Sequence, residues 1–175
     1  MELSPQGSLT TVSRTLQRLR HLDPASHMKL MLSYSVQIAS GLQHLHSKRM
    51  LHLDLKPDNI LCFVENRVKL CDFGTSKNLT RTDTVASGRC TVQYAAPEVL
   101  IEEDMECDGR VLPAPKSPNT VSVATDLYSL GSVLCELFSG KAPWGDRNHF
   151  SICAAISRGA SPNILQHPWP SNCPQ

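Results

Sequence analysis

The sequence lacks a charge excess of either sign, because 17 lysines and arginines nearly balance 16 aspartates and glutamates. Nucleic acids and anionic membranes attract basic surfaces, so this balance argues against either as the main partner. The chain also has no run of about 18 apolar residues and no basic-then-apolar leader in residues 1–11. We therefore expect a protein without a membrane segment, located in the cytosol or the nucleus.

Paired metal-binding or redox cysteines are also missing, because the seven cysteines contain no CxxC motif. Several of them lie in apolar runs, where an unpaired cysteine packs as a small hydrophobic residue. We predict reduced thiols. The length of 175 residues and the apolar content of 41% indicate one domain with its own core.

The spacing of apolar residues predicts a mostly helical chain. Leucines and other apolar residues recur three and four apart in helices predicted over 8–22, 27–47, 124–139 and 146–157. Ser26 and Asp146 are the predicted N-caps of the second and last helices, and Pro24 is predicted to end the first. Apolar residues nearly encircle the helix 124–139, so we expect it inside the core. Two short apolar runs, 60–63 and 68–71, predict a β-hairpin.

Two polar segments interrupt these elements. Residues 75–89 are rich in threonine, serine, arginine and aspartate, which predicts a loop. Residues 102–122 begin acidic and then collect three prolines, which predicts a flexible insertion.

The groups needed for phosphoryl transfer are concentrated around the hairpin. His-Leu-Asp-Leu-Lys-Pro-Asp-Asn occupies 52–59 and precedes the hairpin, and Asp-Phe-Gly follows it at 72–74. Phosphoryl transfer requires a base or positioning group for the attacking hydroxyl, a cation and metal-binding oxygens. The side chains that supply these groups are Asp54, Lys56, Asn59 and Asp72.

Two further motifs follow in order: Ala-Pro-Glu at 96–98, and Asp-Leu-Tyr-Ser-Leu-Gly, which begins at Asp126. This ordered set resembles the signature motifs of protein kinases. The resemblance implies an α+β fold, mainly α, like the C-terminal lobe of a kinase, with short β-hairpins around the catalytic loop. The β-rich N-terminal lobe is expected to be absent. Within a partial kinase domain over 1–175, the implied parts are a hinge (1–7), catalytic loop (52–59), activation segment (72–98), insertion (102–122) and core helix (124–139).

The resemblance also implies roles for the catalytic residues. Asp54 is expected to orient the substrate hydroxyl or accept its proton, and Lys56 to contact the transferred phosphate. Asn59 and Asp72 are the expected Mg²⁺ ligands, and ATP is the expected phosphate donor. Thr91 is expected to connect the substrate-binding loop to Asp54.

Other residues are expected to support the nucleotide or the loops. Leu61 and Cys71 would lie under the adenine, and the backbone of Glu2 and Ser4 would bond its edge. The expected structural residues are His52, Phe73, Gly74, Glu98 and Asp126, of which His52 and Phe73 would stack and Asp126 would anchor the catalytic loop. The ordinary explanations for single residues, a packed histidine at 52 or a turn aspartate at 72, are less consistent with the ordered motifs.

Lys56, two residues after Asp54, and Thr91 are similar to the pattern of serine/threonine kinases, which implies Ser and Thr hydroxyls of proteins as substrates. The segment 52–57 is particularly similar to Mos kinases. Leu53 stands where many kinases have an arginine that pairs with a phosphorylated loop residue. We therefore expect that phosphorylation at Thr80, Thr82, Thr84 or Ser87 is not the main activating event.

The sequence departs from the kinase pattern upstream of Asp54, where no glycine-rich loop and no phosphate-binding strand lysine is found. The arginine that would pair with Glu98 is also missing, so we expect Glu98 to lack its partner. Three interpretations stay open: a kinase of which this sequence is a partial copy, an inactive lobe acting as a protein-binding module or scaffold, and a fragment that does not fold stably. For the chain alone we expect turnover reduced by about 10³-fold or more.

Overall fold

The computed structural model describes residues 6–78, 91–100, 105–107, 110–112 and 121–162. In these ranges the first two helices are α1 (Leu9–Leu22) and α2 (Pro24–Ser47). Ser8 caps α1 by accepting the Thr11 N–H, and Asp23 caps α2 by accepting the Ser26 N–H at 3.1 Å. The prediction of Ser26 as the cap was wrong, because Pro24 fits the first helical position and starts α2 instead of only ending α1.

Four short strands surround the predicted catalytic loop: β1 (Met50–Leu51), β2 (Ile60–Phe63), β3 (Arg67–Leu70) and β4 (Lys77–Asn78). β2 and β3 form the hairpin, with Ile60 opposite Leu70. β4 pairs with β1, and Leu51 lies opposite Lys77. The prediction of a loop at 75–89 was therefore wrong for Lys77 and Asn78, which form β4. Residues 79–90 lie outside the described part of the chain.

The predicted flexible insertion contains regular structure where it is described. β5 (Met105–Cys107) and β6 (Arg110–Leu112) pair antiparallel, and Val121 is buried. Backbone pairing and the burial of Val121 are thus described within the segment, and its flexibility stays a prediction. The other residues of 102–120 lie outside the described ranges.

Three further helices complete the described chain: α3 (Pro97–Leu100), α4 (Val123–Ser139) and α5 (His149–Ser157). Ser122 and Thr125 form a capping box at the start of α4, and Gly140, with φ of +74°, ends it. Leu127 is 52% exposed, so α4 is not buried on every side as its apolar residues predicted. Asn148 caps α5 by accepting the Ser151 N–H at 2.9 Å, so Asp146 is not its cap.

The main core lies between α1, α2, the β2–β3 hairpin and α4. Its buried side chains include Leu16, Met31, Ile38, Leu42, Ile60, Val133 and Leu137. A second cluster packs Trp144 and Val92 against α5. A third, smaller cluster contains Leu51, Leu53 and Val121, with Val99 packed against it. Among the described residues, the cysteines at 62, 71, 135 and 153 form no disulfide.

Among the described helices, none combines the length and the apolar character that a bilayer crossing requires.

Candidate active site

A buried carboxylate fixes the start of the 52–59 loop. Asp126, in the first turn of α4, is 0% exposed. Its Oδ2 accepts the His52 N–H and its Oδ1 accepts the Leu53 N–H, each at 2.9 Å. His46, near the end of α2, places Nε2 at 2.8 Å from Oδ2. Because a buried carboxylate requires such partners, Asp126 ties the loop to two helices.

The Asp54 carboxylate lies at the centre of a hydrogen-bonded cluster. Lys56 Nζ lies 2.7 Å from Asp54 Oδ2 and 2.7 Å from Thr91 Oγ1. The Thr91 hydroxyl and backbone N–H donate to Asp54 Oδ1 at 2.9 and 3.1 Å. Thr91 is 37 residues from Asp54 in sequence, so these bonds hold the 91–100 segment against the predicted catalytic loop.

Asn59 connects Asp54 to the hairpin. It ends a 3-10 turn (Pro57–Asn59), and its Nδ2 donates to the Asp54 carbonyl at 2.8 Å and to Asp54 Oδ2 at 3.2 Å. Its backbone carbonyl accepts the Cys71 N–H at 3.0 Å. Asp72 follows Cys71 directly, so the two predicted metal ligands lie on neighbouring stretches of backbone.

Asp72 has a left-handed backbone with φ of +59°, and its Oδ1 accepts the Gly74 N–H at 3.3 Å. Its side chain is exposed. A carboxylate oxygen from Asp72 and an amide oxygen from Asn59 are hard ligands of the type that Mg²⁺ prefers, with substrate phosphates completing the shell. The described residues hold no cluster of three histidine, cysteine or acidic side chains that could bind a metal without such a substrate.

His52 lies beneath this site. Its Nε2 is 3.2 Å from the Cys71 carbonyl and its Nδ1 is 3.4 Å from the Asp54 N–H. A ring with the proton on Nε2 satisfies both contacts. The Phe73 ring lies 5.5 Å from it, at an angle of 56°. Phe73 is nevertheless 45% exposed, so the predicted stacking pair is covered on the histidine side only.

The residues predicted to contact the adenine are only partly described. Leu61 is half-buried in β2 and forms a bridge with Ser8, while the Cys62 N–H donates to the Gly7 carbonyl at 2.8 Å. Cys71 is half-buried, and this burial is the larger cause that raises the pKa of its thiol. The nearby negative charge of Asp72 is the smaller cause in the same direction. Glu2 and Ser4 lie outside the described residues.

Glu98 has a partner that the sequence did not predict. Its Oε1 accepts the Thr125 hydroxyl at 2.7 Å, and the same hydroxyl accepts the Ser122 N–H at 3.0 Å. The expectation that Glu98 lacks a partner was therefore wrong, because the α4 cap supplies a donor. This contact joins α3 to the start of α4.

Two further pairs were missed by the sequence analysis. One is the His46–Asp126 contact, and the other joins the Tyr94 hydroxyl to Glu136 Oε2 at 2.7 Å. Burial, the larger effect, raises the pKa of Glu136, and the Tyr94 hydrogen bond opposes it. The leucine-histidine-serine run at 45–47 was the only sequence signal for His46.

The chain is similar to known protein kinases over nearly its whole length. A family model described as "Protein kinase domain" matches residues 1–174. Mitogen-activated protein kinase kinase kinase 13-B of Xenopus laevis is 36% identical over 174 residues, covering 99% of this chain and 15% of that protein. Mitogen-activated protein kinase kinase kinase 12 of Rattus norvegicus is also 36% identical, covering 99% of this chain and 17% of that protein. Mitogen-activated protein kinase kinase kinase dlk-1 of Caenorhabditis briggsae is 31% identical, covering 100% of this chain and 17% of that protein. The chain thus spans less than a fifth of these relatives.

Proposed function

Because the chain belongs to the protein kinase family, we propose that it contributes the catalytic loop of a serine/threonine kinase that transfers the γ-phosphate of ATP to protein hydroxyls. The observation that carries the proposal is the Asp54–Lys56–Thr91 cluster, in which two oxygens of one carboxylate are held by a cation and a threonine. The relatives are named mitogen-activated protein kinase kinase kinases, and this name specifies a protein substrate, which favours protein substrates here.

Asp54 positions the acceptor hydroxyl and takes its proton as the hydroxyl oxygen bonds to the γ-phosphorus and ADP leaves. The hydrogen bonds from Thr91 and Asn59 fix the orientation of the Asp54 carboxylate before substrate arrives. Lys56, already 2.7 Å from Asp54, supplies positive charge beside the transferred phosphate.

Asp72 and Asn59 would hold Mg²⁺ through oxygen atoms. Bound there, the ion would neutralise charge on the phosphates of ATP. Leu61 and Cys71 would lie under the adenine ring, and the hinge contacts of Glu2 and Ser4 stay a prediction.

Serine/threonine specificity is supported by Lys56 and Thr91, which contact each other directly at 2.7 Å. The narrower similarity to Mos kinases rests on residues 52–57 alone. Location in the cytosol or nucleus also stays a prediction. The alternative function, an inactive protein-binding module or scaffold, keeps the same fold and differs in lacking transfer.

The test is phosphate transfer from γ-labelled ATP to a general protein acceptor, measured with the full-length protein. We expect label on serine and threonine, and a loss of about 10²-fold or more in Asp54→Asn. Asp146→Asn, an exposed aspartate on the turn before α5, is the matched control and should transfer normally. Equal transfer by Asp54→Asn would refute the role of Asp54, and no transfer by the unmodified protein would favour the binding module.

A further inference from the structure

The turn that begins at Thr91 is bonded through its side chains to separate parts of the fold. The Tyr94 N–H and the Ala95 N–H donate to the Thr91 carbonyl at 3.0 and 3.2 Å, which closes the turn. The Thr91 hydroxyl donates to Asp54, and the Tyr94 hydroxyl donates to Glu136 on α4. The third polar side chain of the turn, at position 93, makes a different pair of contacts.

Gln93 joins the turn to the segment between α4 and α5. Its Oε1 accepts the Trp144 N–H at 3.3 Å, and its Nε2 donates to the Gly145 carbonyl at 3.2 Å. A side-chain amide carries an acceptor oxygen and a donor nitrogen, and the two backbone groups decide which end lies where. Both ends of the side chain are therefore used. We call these two bonds the Gln93 clamp.

The backbone that Gln93 contacts is itself well supported. Trp144 is 1% exposed and belongs to a buried apolar cluster that also contains Val92 and Ile152. The Gly145 N–H donates to the Ala142 carbonyl at 3.0 Å, and the φ of Gly145 is +62°, a conformation that favours glycine. A supported backbone on one side allows the Gln93 clamp to fix the position of the 91–94 turn on the other.

The clamp adds a direction that the apolar contacts of the turn do not have. Val92 is buried in the same cluster as Trp144, but apolar burial is not directional. Hydrogen bonds weaken steeply when donor and acceptor are misaligned, so two of them from one amide restrict the rotation of the turn. This rotation matters at Thr91, because its N–H and its hydroxyl both donate to Asp54 Oδ1, at 3.1 and 2.9 Å.

We propose that Gln93 is a positioning residue: its amide holds the 91–94 turn against Trp144 and Gly145, so that the Thr91 N–H and hydroxyl stay directed at Asp54. The inference rests on the proposed kinase function, because Asp54 is the group that is finally oriented. Gln93 acts on Asp54 through Thr91, since its own hydrogen bonds go to the segment between α4 and α5.

The test compares Gln93→Met with the unmodified full-length protein. Methionine has nearly the same length as glutamine and cannot form either bond of the clamp. We expect kcat to fall about tenfold while KM for ATP is unchanged, because the altered contacts orient the acceptor side of the site. Gln43→Met, at an exposed glutamine on α2, is the matched control and should change neither constant.

Hydrogen exchange gives a second readout that does not depend on activity. The peptide 91–96 contains the Thr91 N–H, and its exchange should become roughly threefold faster or more in Gln93→Met, while exchange in the hairpin 60–70 is unchanged. This readout separates the two proposals. Faster exchange at 91–96 in a protein that transfers no phosphate would support the clamp and refute the kinase function.

Unchanged exchange at 91–96, or an unchanged kcat, in Gln93→Met would overturn the positioning role. Equally faster exchange in 60–70 and 91–96 would indicate a general loss of stability and would also overturn it. If Gln93→Met does not fold, Gln93→Glu takes its place with the same two expectations, because a carboxylate can accept the Trp144 N–H but cannot donate to the Gly145 carbonyl.

Discussion

Asp126→Asn should destabilise the protein strongly, although the two side chains have nearly the same size. Oδ2 of Asp126 accepts from His52 N–H and contacts His46 Nε2, and Oδ1 accepts from Leu53 N–H. Asparagine has one acceptor oxygen and one amino group that only donates. If the oxygen stays with Leu53, the new amino group faces the His52 N–H, donor against donor.

The expected loss follows from the number of unpaired groups. The site is fully buried, so water cannot replace the missing acceptor. Each buried donor left without a partner costs about 1–3 kcal/mol, and two face each other here, which gives a loss of roughly 2–6 kcal/mol. That is a large part of a typical folding free energy of about 5–15 kcal/mol.

Urea unfolding of the purified chain, followed by circular dichroism, measures this loss through the midpoint and the slope. The control is Asp146→Asn, since Asp146 is exposed and should change stability by about 0.5 kcal/mol or less. Equal midpoints for Asp126→Asn and Asp146→Asn would refute the view that Asp126 anchors the loop through its two oxygens.

Three further predictions concern buried titratable groups. Burial raises the pKa of Glu136 above its ordinary 4.5, so the protein should lose stability as the pH rises from 4.5 through the raised pKa. Glu136→Gln should flatten that part of the curve of stability against pH. A curve that the substitution leaves unchanged would contradict this role of Glu136. Burial lowers the pKa of His27 below 6.5, and its Nε2 has no partner among the described residues. In urea unfolding, His27→Leu should therefore remove the loss of stability below pH 6.5 and add about 1 kcal/mol of stability at pH 7. Lower stability of His27→Leu both at pH 7 and below pH 6.5 would contradict this prediction. Burial raises the pKa of the Cys62 thiol to about 11, so native alkylation followed by mass spectrometry should label the half-buried Cys71 faster than the buried Cys62. Faster labelling of Cys62 than of Cys71 would show that the hairpin opens.

The long helices could be predicted from sequence because many residues contribute to their apolar spacing. Their caps could not, because Asp23 and Ser26 lie three residues apart and Asp146 and Asn148 lie two apart, and each is a suitable cap residue. In the structure Pro24 occupies the first helical position of α2, so Asp23, directly before it, is the cap and Ser26 is not. Strands of two or three residues, such as β1 and β4, carry no periodic signal, so their pairing appears only when the chain is folded.

The candidate site divides in the same way. The order of the motifs predicted that Asp54, Lys56 and Asn59 would act together, since they lie within six residues of one another. The resemblance implied two contacts between distant residues, from Asp126 to the 52–59 loop and from Thr91 to Asp54. Other distant contacts were missed, because they depend on how α4 packs against α2 and the 91–100 segment. His46 and Asp126 are 80 residues apart, and Glu98 and Thr125 are 27 apart.

Binding of Mg²⁺-ATP through Asp72 is the step on which the proposed phosphate transfer would depend, and thermal unfolding tests it without a choice of protein substrate. A ligand that binds only the folded state raises the unfolding midpoint in proportion to the logarithm of its excess concentration. We predict a rise with excess Mg²⁺-ATP that persists in Asp146→Asn and disappears in Asp72→Ala. No rise in the unmodified protein, or an equal rise in Asp72→Ala, would contradict the assignment of this site to metal-bound nucleotide.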